Sequence, residues 1–174
     1  MNEPSEKMAP LESYRKWLGE QTGQTPAEFD ENDGGVFAKV LMLHNFPTKT
    51  MTKATRDNPD ASAKNVREIH EGVLDRTDTI SWNAIPYYFD KTPPVAERRA
   101  CEPYLEELLR LLDNLQVVIL SGSLAWEKRA CIERVKPDIK KIIETNHPGN
   151  QGLNAHGGRQ QYVEAVRCAA AIIC

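Results

Sequence analysis

Three features are missing from this sequence: a long hydrophobic run, closely paired cysteines and an excess of positive charge. No stretch approaches the roughly 20 apolar residues that a membrane-spanning helix needs. The N-terminus, MNEPSEKMAPLESY, lacks the basic-then-apolar order of a secretory signal peptide. We therefore expect a cytoplasmic protein that does not enter a membrane.

The cysteines argue against a metal centre. The four are widely separated, and none forms a Cys-X-X-Cys pair of the kind that zinc and iron–sulfur sites use. We expect neither a metal nor a cofactor. The formal net charge of −3 disfavours strong nucleic-acid binding without sequence preference, since such binding depends on summed positive charge. It is compatible with a local basic face on an acidic body.

Apolar runs and amphipathic segments alternate along the 174 residues, a length that suits one domain with its own core. Apolar runs predict four strands, at 36–43, 79–85, 116–121 and 141–145. Helical periodicity predicts five helices, at 9–20, 61–74, 95–115, 124–135 and 159–172. Buried strands joined by helical crossovers indicate a parallel sheet covered on both faces. The predicted fold class is therefore α/β, a three-layer α/β/α domain with a four-stranded parallel sheet.

The chain is predicted to have two parts. Residues 1–35 form a helix and a polar loop that pack on the core, and residues 36–174 form the main domain. A long polar segment, 44–60, follows the first predicted strand, and long ordered loops are often functional. Asp60 or Ser62 is expected to cap the helix after it.

Polar and aromatic residues collect where the predicted strands end. In open parallel sheets, ligands bind beyond the carboxyl ends of the strands. The residues expected at this edge include His44, Asn45, Phe46, Asn83, His147 and Asn150. Taken singly, each could simply brace a turn, but their shared position predicts one binding site. Asn83 lies within an apolar run, and a carboxamide is costly to bury without a partner.

Four segments resemble motifs of the uracil-DNA glycosylase superfamily, and the resemblance covers residues 36–174. The segment LMLHNFPTKT is similar to the family's first-strand catalytic motif, of the type Asp-Pro-Tyr or Asn-Pro-Gly. The second, TISWNAIPYYF, resembles the motif in which an asparagine reads the base. The third, TNHPGNQGLNAHGGR, resembles the family's His-Pro-Ser loop, and VVILSGSLAWEKR resembles its third strand with a glycine-containing exit.

The resemblance implies a DNA glycosylase that acts in base excision. Such an enzyme flips a nucleotide into its pocket and hydrolyses the N-glycosidic bond of uracil or a modified pyrimidine. Asn83 would read the base edge, because a carboxamide presents one acceptor and one donor. Phe46 would stack on the base or line its C5 side. His147 would be the catalytic donor that stabilises the charge on the leaving base.

His44 and Asn45 stand where the family places the Asp or Asn that positions or activates the water. Alignment on Pro47 gives the catalytic place to His44, whereas alignment on the amide gives it to Asn45. A neutral imidazole can act as a general base, but an asparagine can only orient a water. The sequence leaves both alternatives open.

The resemblance also implies DNA, single- or double-stranded, as the partner of a monomeric protein. The residues expected to contact DNA are Lys49, Asn150, Gln151, Leu153 and Arg159. The loop HPGNQGLN would lie against phosphates through its backbone N–H groups. Gln151 or Leu153 would fill the space that the flipped base leaves. Lys53 and Arg56 belong to the same polar edge.

Two other classes of function compete with the glycosylase. The altered first motif favours a catalytically weak DNA- or nucleotide-binding protein on the same fold. An α/β protein with a small-molecule pocket unrelated to DNA is the third alternative, and it would not require His147. Basic residues that merely solvate loops would favour that third interpretation.

Overall fold

The computed structural model describes residues 5–49 and 51–174. The strands in this part of the chain are β1 (Glu28–Phe29), β2 (Val40–His44), β3 (Lys53–Ala54), β4 (Thr79–Asn83), β5 (Val117–Ser121) and β6 (Lys141–Thr145). The helices are α1 (Ala9–Thr22), α2 (Ala61–His70), α3 (Val95–Ala100), α4 (Glu102–Leu111), α5 (Ser123–Trp126), α6 (Arg129–Val135), α7 (Asn150–Asn154) and α8 (Gly158–Ile173). No helix within the described ranges is long and apolar enough to cross a membrane.

Four of the strands form the central sheet, in the order β4-β2-β5-β6, and every neighbouring pair is parallel. The inner strands β2 and β5 are apolar on both faces, as expected for strands covered by helices on each side. One core joins the sheet to α1, α4 and α6 and includes Leu11, Leu41, Trp82 and Leu108. The other joins it to α2 and α8. The predicted three-layer α/β/α fold with a four-stranded parallel sheet is confirmed.

Several predicted boundaries differ from the structure for local reasons. The helix predicted at 95–115 is two helices, α3 and α4, and Pro103 lies in the first turn of the second. Proline has no N–H to continue a helical ladder but fits a helix start. The helix predicted at 61–74 ends at His70, because Gly72 turns the chain with a positive φ of 70°.

Two further elements lie in segments predicted to be loops. β1 and β3 pair as a two-stranded parallel sheet, and α7 lies in the glycine-rich segment after β6. Elements of two to five residues are too short to show a periodic pattern. The helix predicted at 124–135 is likewise two short helices, α5 and α6.

The N-terminal helix and the loop after it contact the core directly. Leu11 and Leu18 of α1 are fully buried, and the Tyr14 hydroxyl donates to the Tyr104 carbonyl of α4 at 2.9 Å. Phe29 of β1 stacks on Trp82 with ring centroids 4.0 Å apart. The division of the chain at residue 35 stays a prediction.

Candidate active site

A cavity of about 90 Å³ opens at the carboxyl ends of β2 and β4. It is bounded by the sheet, the first turns of α2 and the loop after β6. Its polar lining residues are His44, Thr48, Thr55, Arg56, Asn58, Asp60, Ser62, Ser81, Asn83 and His147. A single water needs only about 10–15 Å³, so this cavity has room for a ligand larger than one water.

His44 and Asn83 lie side by side at the carboxyl ends of β2 and β4, because they are register partners in this parallel strand pair. Asn83 is 4 % exposed, and its Nδ2 donates to the Met51 sulfur at 3.9 Å. Thioether sulfur is a weak acceptor. Within the described residues this is the sole hydrogen bond of the Asn83 amide, whose donor and acceptor groups therefore face the cavity with little competition.

His147 reaches the cavity from the loop after β6, and several contacts hold it there. The Asn65 side chain of α2 donates to the Pro148 carbonyl at 2.7 Å. The Gly149 N–H donates to His147 Nδ1 at 3.0 Å, which places the proton of the neutral ring on Nε2. Gly152 packs so closely that a Cβ there would lie 2.0 Å from the His147 carbonyl oxygen. Only glycine permits this approach.

The two imidazoles are held in their neutral forms. Burial, with a smaller contribution from His147, lowers the pKa of His44 to about 3. Burial also lowers the pKa of His147, and Asp60 opposes this effect. The ring centroids of His44 and His147 are 6.1 Å apart in an edge-to-face arrangement. At neutral pH each ring therefore carries one N–H donor and one unprotonated nitrogen, which in His147 already accepts from Gly149.

Asn45 is turned away from the cavity. Its side-chain oxygen accepts from the backbone N–H groups of Leu124 and Ala125, at 3.1 and 3.3 Å, in the first turn of α5. Gly122 makes room for this contact with a positive φ of 101°, and a Cβ there would lie 2.7 Å from Asn45 Nδ2. Of the two residues considered for the catalytic place in the first motif, His44 lines the cavity and Asn45 does not.

Phe46 lies in the wall of the cavity beside Met51 and Pro148. It is half-buried and packs against the buried cluster of Ile85, Tyr87 and Cys101. This position gives the cavity an apolar wall, next to the polar edge that Asn83 and His44 form. The structure thus brings together four of the residues that the sequence singled out: His44, Phe46, Asn83 and His147.

The residues expected to contact DNA fall into two groups. Lys49, Asn150, Gln151 and Arg159 are exposed, and Arg159 lies 3.9 Å from Glu68. Leu153 is 7 % exposed and packs in the core between the sheet, α2 and α8. This buried position differs from the exposed one that a residue entering a DNA base stack needs.

Two residues of the cavity wall were missed or misplaced by the sequence reasoning. Arg56 was grouped with the basic residues of the polar edge, yet it is buried, and its Nη2 donates to Thr79 Oγ1 at 2.6 Å. Ser81 was not singled out. A signal for it was present, because Thr79, Ser81 and Asn83 alternate with apolar residues and share one face of β4.

The fold and the cavity together define an α/β protein with a ligand site at the carboxyl ends of its parallel strands. The family model of the uracil DNA glycosylase superfamily matches residues 21–170, which is most of the chain. The chain belongs to the uracil DNA glycosylase superfamily. This membership supports a DNA glycosylase-like, hydrolytic function with DNA as the substrate. A search of curated proteins finds no match to the chain.

Proposed function

We propose that this protein is a DNA glycosylase that hydrolyses the N-glycosidic bond of uracil or a modified pyrimidine after flipping the nucleotide into the cavity. One observation carries the proposal. His44, Asn83 and His147 come from three separate strand ends and line one cavity. Among the described residues, the Asn83 amide bonds only to a weak thioether acceptor, and the Nε2 of His147 has no partner. Buried polar groups normally have partners, so this arrangement favours a polar, planar ligand such as a base.

Asn83 is the base-reading residue of the proposal. Its carboxamide would accept from N3–H and donate to O4 of uracil, whereas cytosine presents the opposite pattern at these positions. The weak Met51 sulfur contact is easily exchanged for a base. Phe46 would cover the apolar face or the C5 side of the ring.

His147 would stabilise the leaving base. When the bond between C1′ and N1 breaks, the electron pair stays on the base, and negative charge develops on the pyrimidine oxygens. The Nε2–H of His147 is free to donate, since Nδ1 already accepts from Gly149. A positioned donor of this kind typically contributes about 100-fold to 1,000-fold in rate.

His44 would position or deprotonate the attacking water. Its ring is neutral, because burial keeps the pKa near 3, and a neutral imidazole can accept a proton or a hydrogen bond. The water oxygen would bond to C1′ as the base departs. Asn45 serves the start of α5 instead, which supports His44 for this role.

DNA would lie across the exposed residues around the cavity. Lys49 and Arg159 would pair with phosphates, and Asn150 would contribute to the backbone contacts of its loop. Gln151 is exposed at the start of α7 and would enter the stack behind the flipped base. These contacts position the duplex and carry no sequence preference of their own.

A catalytically weak DNA- or nucleotide-binding protein is the second candidate. The observation that favours it is the composition of the first motif. Asp60 is the sole carboxylate among the described lining residues, and its side chain accepts from the Ala63 N–H as the cap of α2. No carboxylate is therefore placed to raise the basicity of His44.

The test is a cleavage assay on labelled oligonucleotides, single- and double-stranded, that carry uracil or a modified pyrimidine. Alkali after incubation converts each abasic site to a nick. We expect cleavage that falls at least 100-fold in Asn83→Ala and His147→Ala. Cleavage should also fall in His44→Ala, more than in Asn45→Ala. His156→Ala is the matched control, since His156 is exposed in the short connection between α7 and α8. Retardation of DNA without any nick would favour the binding protein.

A further inference from the structure

A surface groove lies beside the cavity, between the loops after β2 and β4 and the N-terminal segment. It has a volume of about 330 Å³ and shares Thr48 and Met51 with the cavity. A second groove, of about 640 Å³ along α1, shares Arg15, Thr25 and Pro26 with the first. Because each opening shares residues with the next, the cavity and the two grooves form one continuous path. The two grooves together are called the N-terminal track below.

Tyr88 presents an aromatic ring in this track. It is 39 % exposed, whereas its neighbour Tyr87 is buried. The Tyr88 hydroxyl donates to the Asp90 carboxylate at 2.6 Å, which favours this orientation of the ring. Pro26 and Pro47 add apolar surface to the same groove. Proteins that bind single-stranded nucleic acids use exposed aromatic rings of this kind to stack on bases.

The track carries more positive than negative charge. Its described lining residues include three cations, Arg15, Lys16 and Lys49, and two carboxylates, Glu12 and Glu28. Lys16 and Lys49 are exposed, and Arg15 pairs with Glu12 at 3.0 Å. An ion pair at the surface contributes little to stability, so another anion can replace Glu12 at Arg15. On a chain with a net charge of −3, cations beside an aromatic ring favour a nucleic-acid strand as the occupant.

The track and the loop that carries Asn150 and Gln151 lie at opposite edges of the sheet. Tyr88 follows β4 and Asn150 follows β6, and these are the two edge strands. The cavity takes residues from both sides, Asn83 and His147. A strand with one nucleotide in the cavity would therefore have one flank at the loop after β6 and the other in the track. A base that stacks on Tyr88 has left its own helical stack, so this second flank is single-stranded.

We propose that the N-terminal track binds the single strand that flanks the flipped nucleotide. A neighbouring base would stack on Tyr88, and phosphates would lie at Arg15, Lys16 and Lys49. The proposal rests on the glycosylase function proposed above and deepens it, because it names single-stranded DNA as the preferred substrate. It also gives α1 a part in binding the substrate as well as in the core.

Binding of a strand without any pyrimidine tests the track without catalysis. The probe is a labelled oligodeoxyadenylate of about 15 nucleotides, within the range of single-strand sites, and fluorescence anisotropy follows its titration with the full chain. Tyr88→Ala should weaken binding roughly fivefold to 100-fold, the loss typical of one base–aromatic stack. Tyr88→Phe keeps the ring and should bind much more tightly than Tyr88→Ala. An equal loss with the same strand in a duplex would overturn the single-strand track.

The cations are tested through the salt dependence of the same binding. Arg15→Gln and Lys16→Gln should each weaken binding and flatten the plot of log affinity against log salt by about 0.7, the contribution of one phosphate contact in a single strand. Arg110→Gln, on the exposed face of α4, is the matched control and should keep the wild-type affinity and slope. Equal effects of Arg110→Gln and Arg15→Gln would show attraction by total charge alone and refute the track.

The cleavage assay then separates the two proposals. We expect Tyr88→Ala to raise KM for a single-stranded uracil substrate by at least about fivefold, as for the loss of one stacked base. Uracil cleavage with an unchanged KM, together with unchanged oligodeoxyadenylate binding, would refute the track and keep the glycosylase. Binding that depends on Tyr88, with no cleavage of any oligonucleotide, would refute the glycosylase and keep the track. A wild-type protein that does not bind the single strand at all would also refute the track.

Discussion

The two faces of β4 serve different purposes. On one face, Ile80 and Trp82 are buried in the aromatic core, where Trp82 stacks on Phe29. On the other, Ser81 and Asn83 are equally buried but leave hydrogen-bonding groups without strong partners. The first face contributes stability through packing, and the second holds polar groups ready for a ligand. Burial alone therefore does not distinguish a structural residue from a functional one, whereas the satisfaction of its polar atoms does.

The substitution with the largest expected effect lies on the core-facing side of β4. Trp82→Ala should lower the free energy of unfolding by about 3–5 kcal/mol, because it removes a large buried ring and leaves a cavity. Asn83→Ala is the matched change on the opposite face and should cost less than about 1 kcal/mol, since it removes no strong hydrogen bond. Urea denaturation of both variants measures the difference. Comparable losses in the two variants would show that the faces do not differ as described.

The second prediction concerns Gly152, which packs against the backbone of His147. Gly152→Ala should lower the cleavage rate by roughly 100-fold, approaching the loss of a positioned donor, because its Cβ would meet the His147 carbonyl oxygen. Single-turnover assays under saturating enzyme measure the rate. Asn154→Ala, exposed at the end of the same helix, is the control and should cleave at the wild-type rate. A Gly152→Ala enzyme as fast as this control would contradict the close packing.

The third prediction concerns pH. Burial lowers the pKa of His44 and of His70 to about 3, whereas both would titrate near 6.5 in the unfolded chain. Between these values the unfolded state binds more protons, so stability is full above pH 6.5 and falls as the pH drops toward 3. The slope should be at most about 1.4 kcal/mol per pH unit for each histidine.

Urea denaturation at several pH values measures this slope. His70 packs against Tyr162 away from the cavity mouth, so His70→Phe removes one titrating ring without touching the proposed catalytic groups. The slope between pH 6.5 and 3 should be shallower in His70→Phe than in the wild type. An unchanged slope would mean that His70 is not held in its neutral form.

The smallest expected effect is a difference in stability between variants of His44 and Asn45, the two residues of the first motif. Asn45→Ala should lower the free energy of unfolding by about 1 kcal/mol, as for the loss of a helix-capping side chain. His44→Ala should leave stability closer to the wild type and lower the cleavage rate more. Thermal denaturation and the cleavage assay, run on the same preparations, compare the two. The opposite pattern would place Asn45 in the site.

The orientation of the side chains in the first motif could not be predicted from the sequence. The motif offered two alternatives, because His44 and Asn45 are adjacent and both residue types suit a water site. The structure separates them because alternate residues point to opposite sides of an extended chain. Arg56 is a similar case. A basic residue in a polar segment suggests a surface charge, and only the folded chain shows that Arg56 is buried, with its Nη2 donating to Thr79 of β4.

The layered parallel fold and the edge at which the polar residues meet follow from local patterns in the sequence. Apolar runs and helical periodicity encode burial locally, and parallel strands bring their carboxyl ends to one side whatever their order. Tertiary structure alone decided the strand order, the short β1–β3 sheet and the inward turn of Arg56. It also decided which buried amides have partners. Those features depend on contacts between residues far apart in the chain, where no local pattern records the partner.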